Sequence, residues 1–341
     1  MSEKRVLLIF DLNQRTAPDY DFKEEFRTDG FETEKNVMDA LRRLGHRPRA
    51  LALFDDLAPI LEVIATDRPD VIFNLSEAFR QERKHEAHLA GLLELLGIPY
   101  TGSKPTALAL CKDKVLAKKV LQFHRIRSPR FLLSSRSRPR RRLKNLLFPV
   151  FVKPAGMEGS EGIAQAARAE DEKAALERVA FVHQSLQTDA LVEEFVTGRE
   201  LFAGLLGNDR VKALPLLELF VANAPVDAED APEGAPRFFT YKAKWDDAYR
   251  KKWNIQTGPA KELPPKLEER IQETARKVFR ALQLRGYGRI DLRLTQGGEL
   301  YVIEVNPNPA LAKADEFARA AAAAGIGYDE LIARILELAE R

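Results

Sequence analysis

The chain has 341 residues, a formal net charge of +3, one cysteine and five histidines. That length suggests about two or three domains with ample core, and the charge gives no general attraction to nucleic acid or membranes. Cys111 cannot form an intrachain disulfide, which fits a reducing cytoplasm, and the dispersed histidines offer no zinc-ligand spacing. No run of about 18 apolar residues marks a membrane span, and Val6 to Phe10 is too short for a signal peptide.

In chain order, Arg5 to Phe10 reads as a buried strand and Glu34 to Leu44 as a helix closed by Gly45. Arg49 to Phe54 reads as a strand, Leu57 to Ala65 as a helix, and Asp70 to Asn74 as a third strand. His88 to Leu96 is a helix ended by Gly97. This alternation predicts a small parallel sheet, whose ligands bind at the carboxyl ends of the strands. Those ends are Asp11 to Asn13 and Asn74 to Glu77, and residues 13–33 form a long polar loop of the kind that often carries function.

A helix is expected from Pro105 or Thr106 to about Phe123. The basic stretch Arg136 to Lys144 lacks interleaved aromatics and reads as a solvated loop or helix start rather than a nucleic-acid site. Phe148 to Pro154 is a strand, followed by the glycine-rich loop Ala155 to Gly162. Backbone N–H groups in such a loop can cover phosphates, although it has neither a P-loop ending nor a dinucleotide fingerprint. A helix covers Glu172 to about Gln187, Ala190 to Val196 is an edge-like apolar segment, and Leu201 to Leu206 is a strand. Residues 221–239 are loop-like and precede the basic-aromatic cluster Tyr241 to Asp246. Leu267 to Leu284 is a long amphipathic helix, and helices close the chain at about Asp315 to Ala324 and Tyr328 to Ala339.

Between them lies a hairpin, Gly288 to Leu294 and Leu300 to Asn306. With Gly297-Gly298 as a two-residue turn, Asp291 falls opposite Glu304 and Arg289 opposite Asn306. Opposed carboxylates repel across a ladder, and a cation between them removes the repulsion. Asp, Glu and Asn oxygens suit a hard ion such as Mg2+ held together with phosphates. Taken alone, the same hairpin also reads as a solvated sheet edge.

Leu92 to Ser103, Pro149 to Pro154, Gly288 to Asp291 and Glu304 to Pro309, in this order and spacing, resemble the ATP-grasp superfamily and within it the D-alanine–D-alanine ligases. The resemblance runs from about Gly91 to Pro309. It implies an α/β (α+β) ATP-grasp fold: an N-terminal parallel α/β domain over residues 1–105, a central ATP-gripping subdomain over 106–190 with the phosphate loop, and a C-terminal one over 191–341 with the metal site. It also implies ATP and two Mg2+ ions, with Mn2+ as a substitute, small amino-acid or peptide substrates, and a homodimer. Carried over position by position, Lys114 and Lys153 bind the α- and β-phosphates, and the loop with Glu158, Gly159 and Ser160 closes over them. Glu193, Glu194 and Val196 bracket the adenine, and Glu200 holds the ribose. Lys244 reaches the γ-phosphate, Asp291, Glu304 and Asn306 hold the metals, and Arg289 stabilises the charged intermediate.

The substrate segments depart from that family. The segment from Asp11 to Lys35 is longer and not glycine-rich, and Glu32 or Glu34 stands in for the family's amine-binding glutamate. After the third strand, Glu77, His85 and Glu86 are the substrate-side candidates. Asp315 occupies the position of a serine that helps hold the second substrate's carboxylate. An ionised Asp cannot donate to a carboxylate and repels it. The expectation is therefore a divergent carboxylate–amine ligase. The alternatives are a true D-alanine–D-alanine ligase with an altered loop and a catalytically inactive ATP-binding sensor.

Overall fold

The computed structural model describes residues 2–157, 162–221, 224–225, 243 and 246–340. Among these residues, β1 (Arg5–Asp11), β2 (Arg47–Leu53) and β3 (Val71–Asn74) form a parallel sheet in the order β2-β1-β3. The β1 segment is buried on both faces, as a strand covered by helices on each side must be. Helix α1 (Glu32–Arg43) covers one face, and α2 (Ala58–Thr66) and α3 (Glu86–Leu95) cover the other. The polar loop after β1 is not loose. Phe22, Phe26 and Phe31 surround Phe10 with ring centroids 5.1, 5.9 and 6.0 Å away.

The helix expected from Pro105 to Phe123 is two helices, α4 (Pro105–Lys112) and α5 (Lys114–Phe123). Asp113 breaks it: its Oδ1 accepts from the Val115 and Leu116 N–H groups at 3.0 and 2.9 Å and caps α5. Next come β4 (Phe131–Ser134), β5 (Val150–Pro154), β6 (Arg168–Ala169), α6 (Glu172–Ser185) and β7 (Ala190–Glu194). Their antiparallel sheet runs β4-β7-β5-β6, so the segment read as an edge is an interior strand. Its outer partner, β4, has too short an apolar run to stand out in sequence. The apolar face of this sheet packs on α6. The opposite face carries Phe151, Lys153 and Glu193.

The third sheet holds β8 (Arg199–Leu206), β9 (Lys212–Ala213), β10 (Leu217–Val221), β11 (Ala224–Pro225), β12 (Gln256–Pro259), β13 (Tyr287–Leu294) and β14 (Leu300–Asn306). In the β13–β14 hairpin Arg289 faces Asn306 and Asp291 faces Glu304. The turn, however, is not the expected two-residue one. Leu294 pairs with Leu300, and Thr295 N–H donates to Glu299 O at 2.9 Å, so Gln296 to Gly298 form the loop, with Gly298 at φ +78°. A bulge opposite the Asp291–Leu292 step, where Ile303 is the extra residue, shifts the register back. The helix Pro265–Ala281 covers one face of this sheet. The last helix, Tyr328–Ala339, packs Leu331, Ile332 and Ile335 into the core that holds Val6, Leu8 and Val37 of the N-terminal sheet. Arg43 and Asp329 close that seam at 2.7 Å. Among the described residues no helix is long and apolar enough to cross a membrane.

Candidate active site

Lys114 and Lys118 lie one turn apart on α5 and share a face. Lys114 Nζ donates to Met157 O at 2.6 Å and lies 3.4 Å from Glu304 Oε1 of β14. Lys118 Nζ lies 2.9 Å from Glu193 Oε2, and Lys153 Nζ lies 2.7 Å from Glu193 Oε1. All three of these last residues are buried. One carboxylate therefore serves two ammonium groups. Burial alone pushes both lysines down. Lys153 nonetheless stays above its ordinary value, because Glu193, Glu304 and Asp291 outweigh the burial, whereas Lys118 ends below its own. Burial opposes the Glu193 charge, but the two lysines hold its carboxyl below the usual range. The sequence reading passed over Lys118; its spacing of four from Lys114 was the available signal.

Across the cleft, Asp291 and Glu304 face each other on the hairpin. Arg289 grips Asp291 with two bonds, Nε to Oδ1 at 2.8 Å and Nη2 to Oδ2 at 3.0 Å, and its Nη1 lies 3.2 Å from Glu316 Oε2. Asn306 Nδ2 donates to Asp291 Oδ2 at 3.2 Å. Two carboxylates and an amide oxygen on one face are a hard-oxygen donor set. The Lys114–Glu304 contact joins this face to the lysine wall. Glu316 was also missed: it opens the helix Glu316–Ala323 and looks in sequence like a dipole-compensating acid.

Glu193 is turned to the two lysines. Glu194 points away from it, and its Oε1 accepts from Leu147 N–H at 2.9 Å. Val196 is half-buried beyond β7. Glu200 Oε2 pairs with Arg293 Nη2 at 2.7 Å, and Arg293 Nη1 also donates to Gly198 O at 2.6 Å. Glu158, Gly159, Ser160 and Lys244 lie outside the described residues. The basic stretch Arg136 to Lys144 is exposed after β4 apart from Leu143, with Arg136 Nη1 donating to Gln187 O at 2.7 Å.

The substrate-side candidates separate. Glu86 is buried, with Lys112 Nζ 2.7 Å from its Oε2 and Asn308 Nδ2 3.3 Å from its Oε1. Asn308 Oδ1 in turn accepts from Ser103 N–H at 2.9 Å. Gly102 has φ +93°, and a Cβ there would meet Asn308 Oδ1 at 2.6 Å. The Thr101-Gly102-Ser103 and Asn306-Pro307-Asn308 motifs thus clasp each other directly through Ser103 and Asn308, and Glu86 holds the Asn308 amide from the other side. His85 Nδ1 lies 3.1 Å from His88 Nδ1 and lines neither cavity described below. Asp315 Oδ2 accepts from Ala312 N–H at 2.8 Å at the start of its helix.

Glu77 lines a cavity of about 540 Å³ at the carboxyl ends of β1 to β3, together with Glu34. Both also border a smaller cavity of about 60 Å³, which reaches Tyr287 and Asn308 beside the hairpin. Glu32 lines neither. The larger cavity is the predicted strand-end site of the N-terminal sheet, and the smaller one adjoins it at Glu34, Leu75 and Glu77.

The family described as D-ala D-ala ligase C-terminus matches residues 114–337. The chain is 32% identical over 316 residues to the uncharacterised protein y4sG of Sinorhizobium fredii, covering 90% of this chain and 87% of that one. It is 32% identical over 289 residues to a D-alanine–D-alanine ligase of Pelotomaculum thermopropionicum, covering 82% and 83%. A D-alanine–D-alanine ligase of Bacillus anthracis, solved in complex with ATP, superposes with a TM-score of 0.74 at 21% identity, covering 99% and 98% of the two chains. At that identity the superposition speaks to the fold.

Proposed function

Because this chain belongs to the D-alanine–D-alanine ligase family of ATP-grasp enzymes, we propose that it joins the carboxylate of an amino acid or small peptide to an amine through an acylphosphate, with substrates other than two D-alanines. Family membership makes it an ADP-forming carbon–nitrogen ligase. The observation that carries the reading is the Lys114–Glu304 contact at 3.4 Å, which brings a cationic wall and a hard-oxygen face to one cleft.

In this reading Lys114 and Lys153 bind nucleotide phosphates, and Glu193 fixes Lys153 in place rather than contacting adenine. Glu194, Val196 and Glu200 lie on the adenosine side, with Arg293 orienting the Glu200 carboxylate. The loop with Glu158, Gly159 and Ser160 covers the phosphates, and Lys244 meets the γ-phosphate. Asp291, Glu304 and Asn306 would hold Mg2+, as two ions and with Mn2+ accepted. Bound there, the metal would neutralise phosphate charge. Phosphoryl transfer depends on positioning and charge neutralisation more than on covalent help. The γ-phosphoryl group passes to a substrate carboxylate oxygen and ADP leaves. The amine nitrogen attacks the acyl carbon and loses a proton, the C–O bond breaks, and phosphate departs. Arg289, held by Asp291 and Glu316, stabilises the oxyanion of the tetrahedral intermediate. Asp315 disfavours a free carboxylate on the amine substrate.

The test is ADP and phosphate release with Mg2+ across a panel of amino acids and dipeptides. Release with acceptors other than D-alanine supports the proposal; release with D-alanine alone makes the chain a D-alanine–D-alanine ligase. ATP binding without turnover on any acceptor makes it a sensor. Glu304→Ala is expected to abolish release while keeping the melting temperature close to that of the parent, and an active variant overturns the metal assignment.

A further inference from the structure

The larger cavity is more acidic than one ammonium group requires. Among the described residues four carboxylates, Asp11, Glu25, Glu34 and Glu77, line it, against one cationic lining residue, Arg80. Glu34 and Glu77 also border the smaller cavity on the hairpin side, whereas Asp11 and Glu25 line only the larger one. Arg83 pairs with Glu77 at 2.7 Å, and Tyr20 Oη donates to Glu25 at 2.8 Å. Asp11 Oδ2 accepts from the Glu77 and Ala78 N–H groups, each at 2.8 Å. Asp11 and Glu34 make no ion pair among the described residues. Burial pushes the Asp11 carboxyl up to about 7 and that of Glu34 up to about 6, with neighbouring Glu77 adding to both.

Three polar atoms at these cavities are left over. Asp11 Oδ1 and Glu25 Oε2 are shielded from solvent and have no hydrogen-bond partner among the described residues. Ser76, 3% exposed, borders the smaller cavity with an Oγ that has none either. Buried polar groups without partners are costly and uncommon in a native fold, and a ligand that supplies donors removes the cost. Phe31 adds an apolar wall for a carbon chain. The volume falls within the range that holds sizeable small molecules, far more than alanine fills.

We propose that the carboxylate substrate carries a second cationic group: a basic amino acid or a peptide with a basic side chain, whose reacting carboxylate faces Arg289 and whose side-chain cation lies between Asp11 and Glu25. This rests on the ligase reading above. Glu34 and Glu77 take the α-ammonium, and the second cation supplies donors to the unpartnered oxygens of Asp11 and Glu25. A charge-assisted contact of this kind discriminates about tenfold or more against an analogue that lacks it.

Lysine and norleucine form the decisive pair, since they share a chain and differ by one ammonium. Each enantiomer is assayed for ADP release with Mg–ATP and a mixed amine pool, and for binding by calorimetry without ATP. The expected result is a kcat/KM at least tenfold higher for lysine than for norleucine, with that ratio falling about tenfold in Glu25→Gln. Equal use of the two, or a preference for norleucine or alanine, overturns the substrate class and leaves the ligase reading standing. Lysine binding at least tenfold tighter than norleucine with no ADP release supports the substrate class while the ligase reading fails. Should Glu25→Gln unfold, Asp11→Asn, which keeps an acceptor for both N–H groups, reads the same ratio.

Discussion

Replacing Glu193 with glutamine removes one charge from a place where two others depend on it. The Lys118 and Lys153 ammonium groups lie 2.9 and 2.7 Å from its two oxygens, and their side chains are 4% and 5% exposed. In Glu193→Gln both stay buried with their shared counterion gone. Breaking a buried pair by removing one partner costs about 3–5 kcal/mol, a large share of the roughly 5–15 kcal/mol by which proteins are stable. Scaled to the heat response of units of 150 residues or more, that lowers Tm by roughly 6–20 °C. Lys118→Met is the control: it leaves a one-to-one pair between Lys153 and Glu193 and removes the ammonium that burial already disfavours. Replacement by an apolar side chain of similar length is expected to move Tm by no more than a few degrees. Scanning calorimetry at pH 7.5, with and without Mg–ATP, measures both. Nucleotide should recover more of the loss in Glu193→Gln than it adds to the parent, because phosphate oxygens replace the missing charge. A Glu193→Gln variant that melts within 1 °C of the parent, or no lower than Lys118→Met, refutes the shared-counterion account (about 0.3–0.5 kcal/mol on the same scale).

The Asp11 carboxyl titrates at about 7 in the folded chain against 3.8 in its ordinary state, so the folded chain holds this proton more tightly than the unfolded one. Its stabilising contribution is full below about pH 4 and is lost as pH rises through about 7; Asp11→Asn should therefore gain Tm over the parent at pH 8 and lose that advantage by pH 4, and a pH-independent difference refutes the assignment. Gly102→Ala places a Cβ against Asn308 at a backbone angle costly for any other residue. A loss of about 1–3 kcal/mol in chemical denaturation is expected, with the clasp between the two motifs opened and ligase activity falling alongside; unchanged stability rules the clasp out.

How much was legible in sequence depends on how far each contact reaches along the chain. Short apolar runs placed β1, β3, β5 and β8, and period-two alternation placed the hairpin, because residues on one face of a strand are fixed by backbone geometry. Gly45 and Gly97 marked helix ends for the same local reason. The Asp291–Glu304 pairing was also legible, although by a turn of the wrong length that the bulge at Ile303 then offset. Short strands such as β4, β10 and β12 were not, since a few residues of pattern are outweighed by whichever sheet edge is available to pair with.

By itself the sequence determined the local elements and, through four short motifs, the family and its reaction. Tertiary structure decided the rest. Only folding brings Lys118 and Lys153 to one carboxylate, turns Glu86 from a substrate candidate into the pin between Asn308 and Lys112, and packs the last helix on the N-terminal sheet. Only folding gathers Asp11, Glu25, Glu34 and Glu77 around one cavity. The physical reason is the same in each case. Backbone propensity acts over a few residues, whereas the pairing of a buried charge depends on whatever distant group the close-packed fold delivers to it.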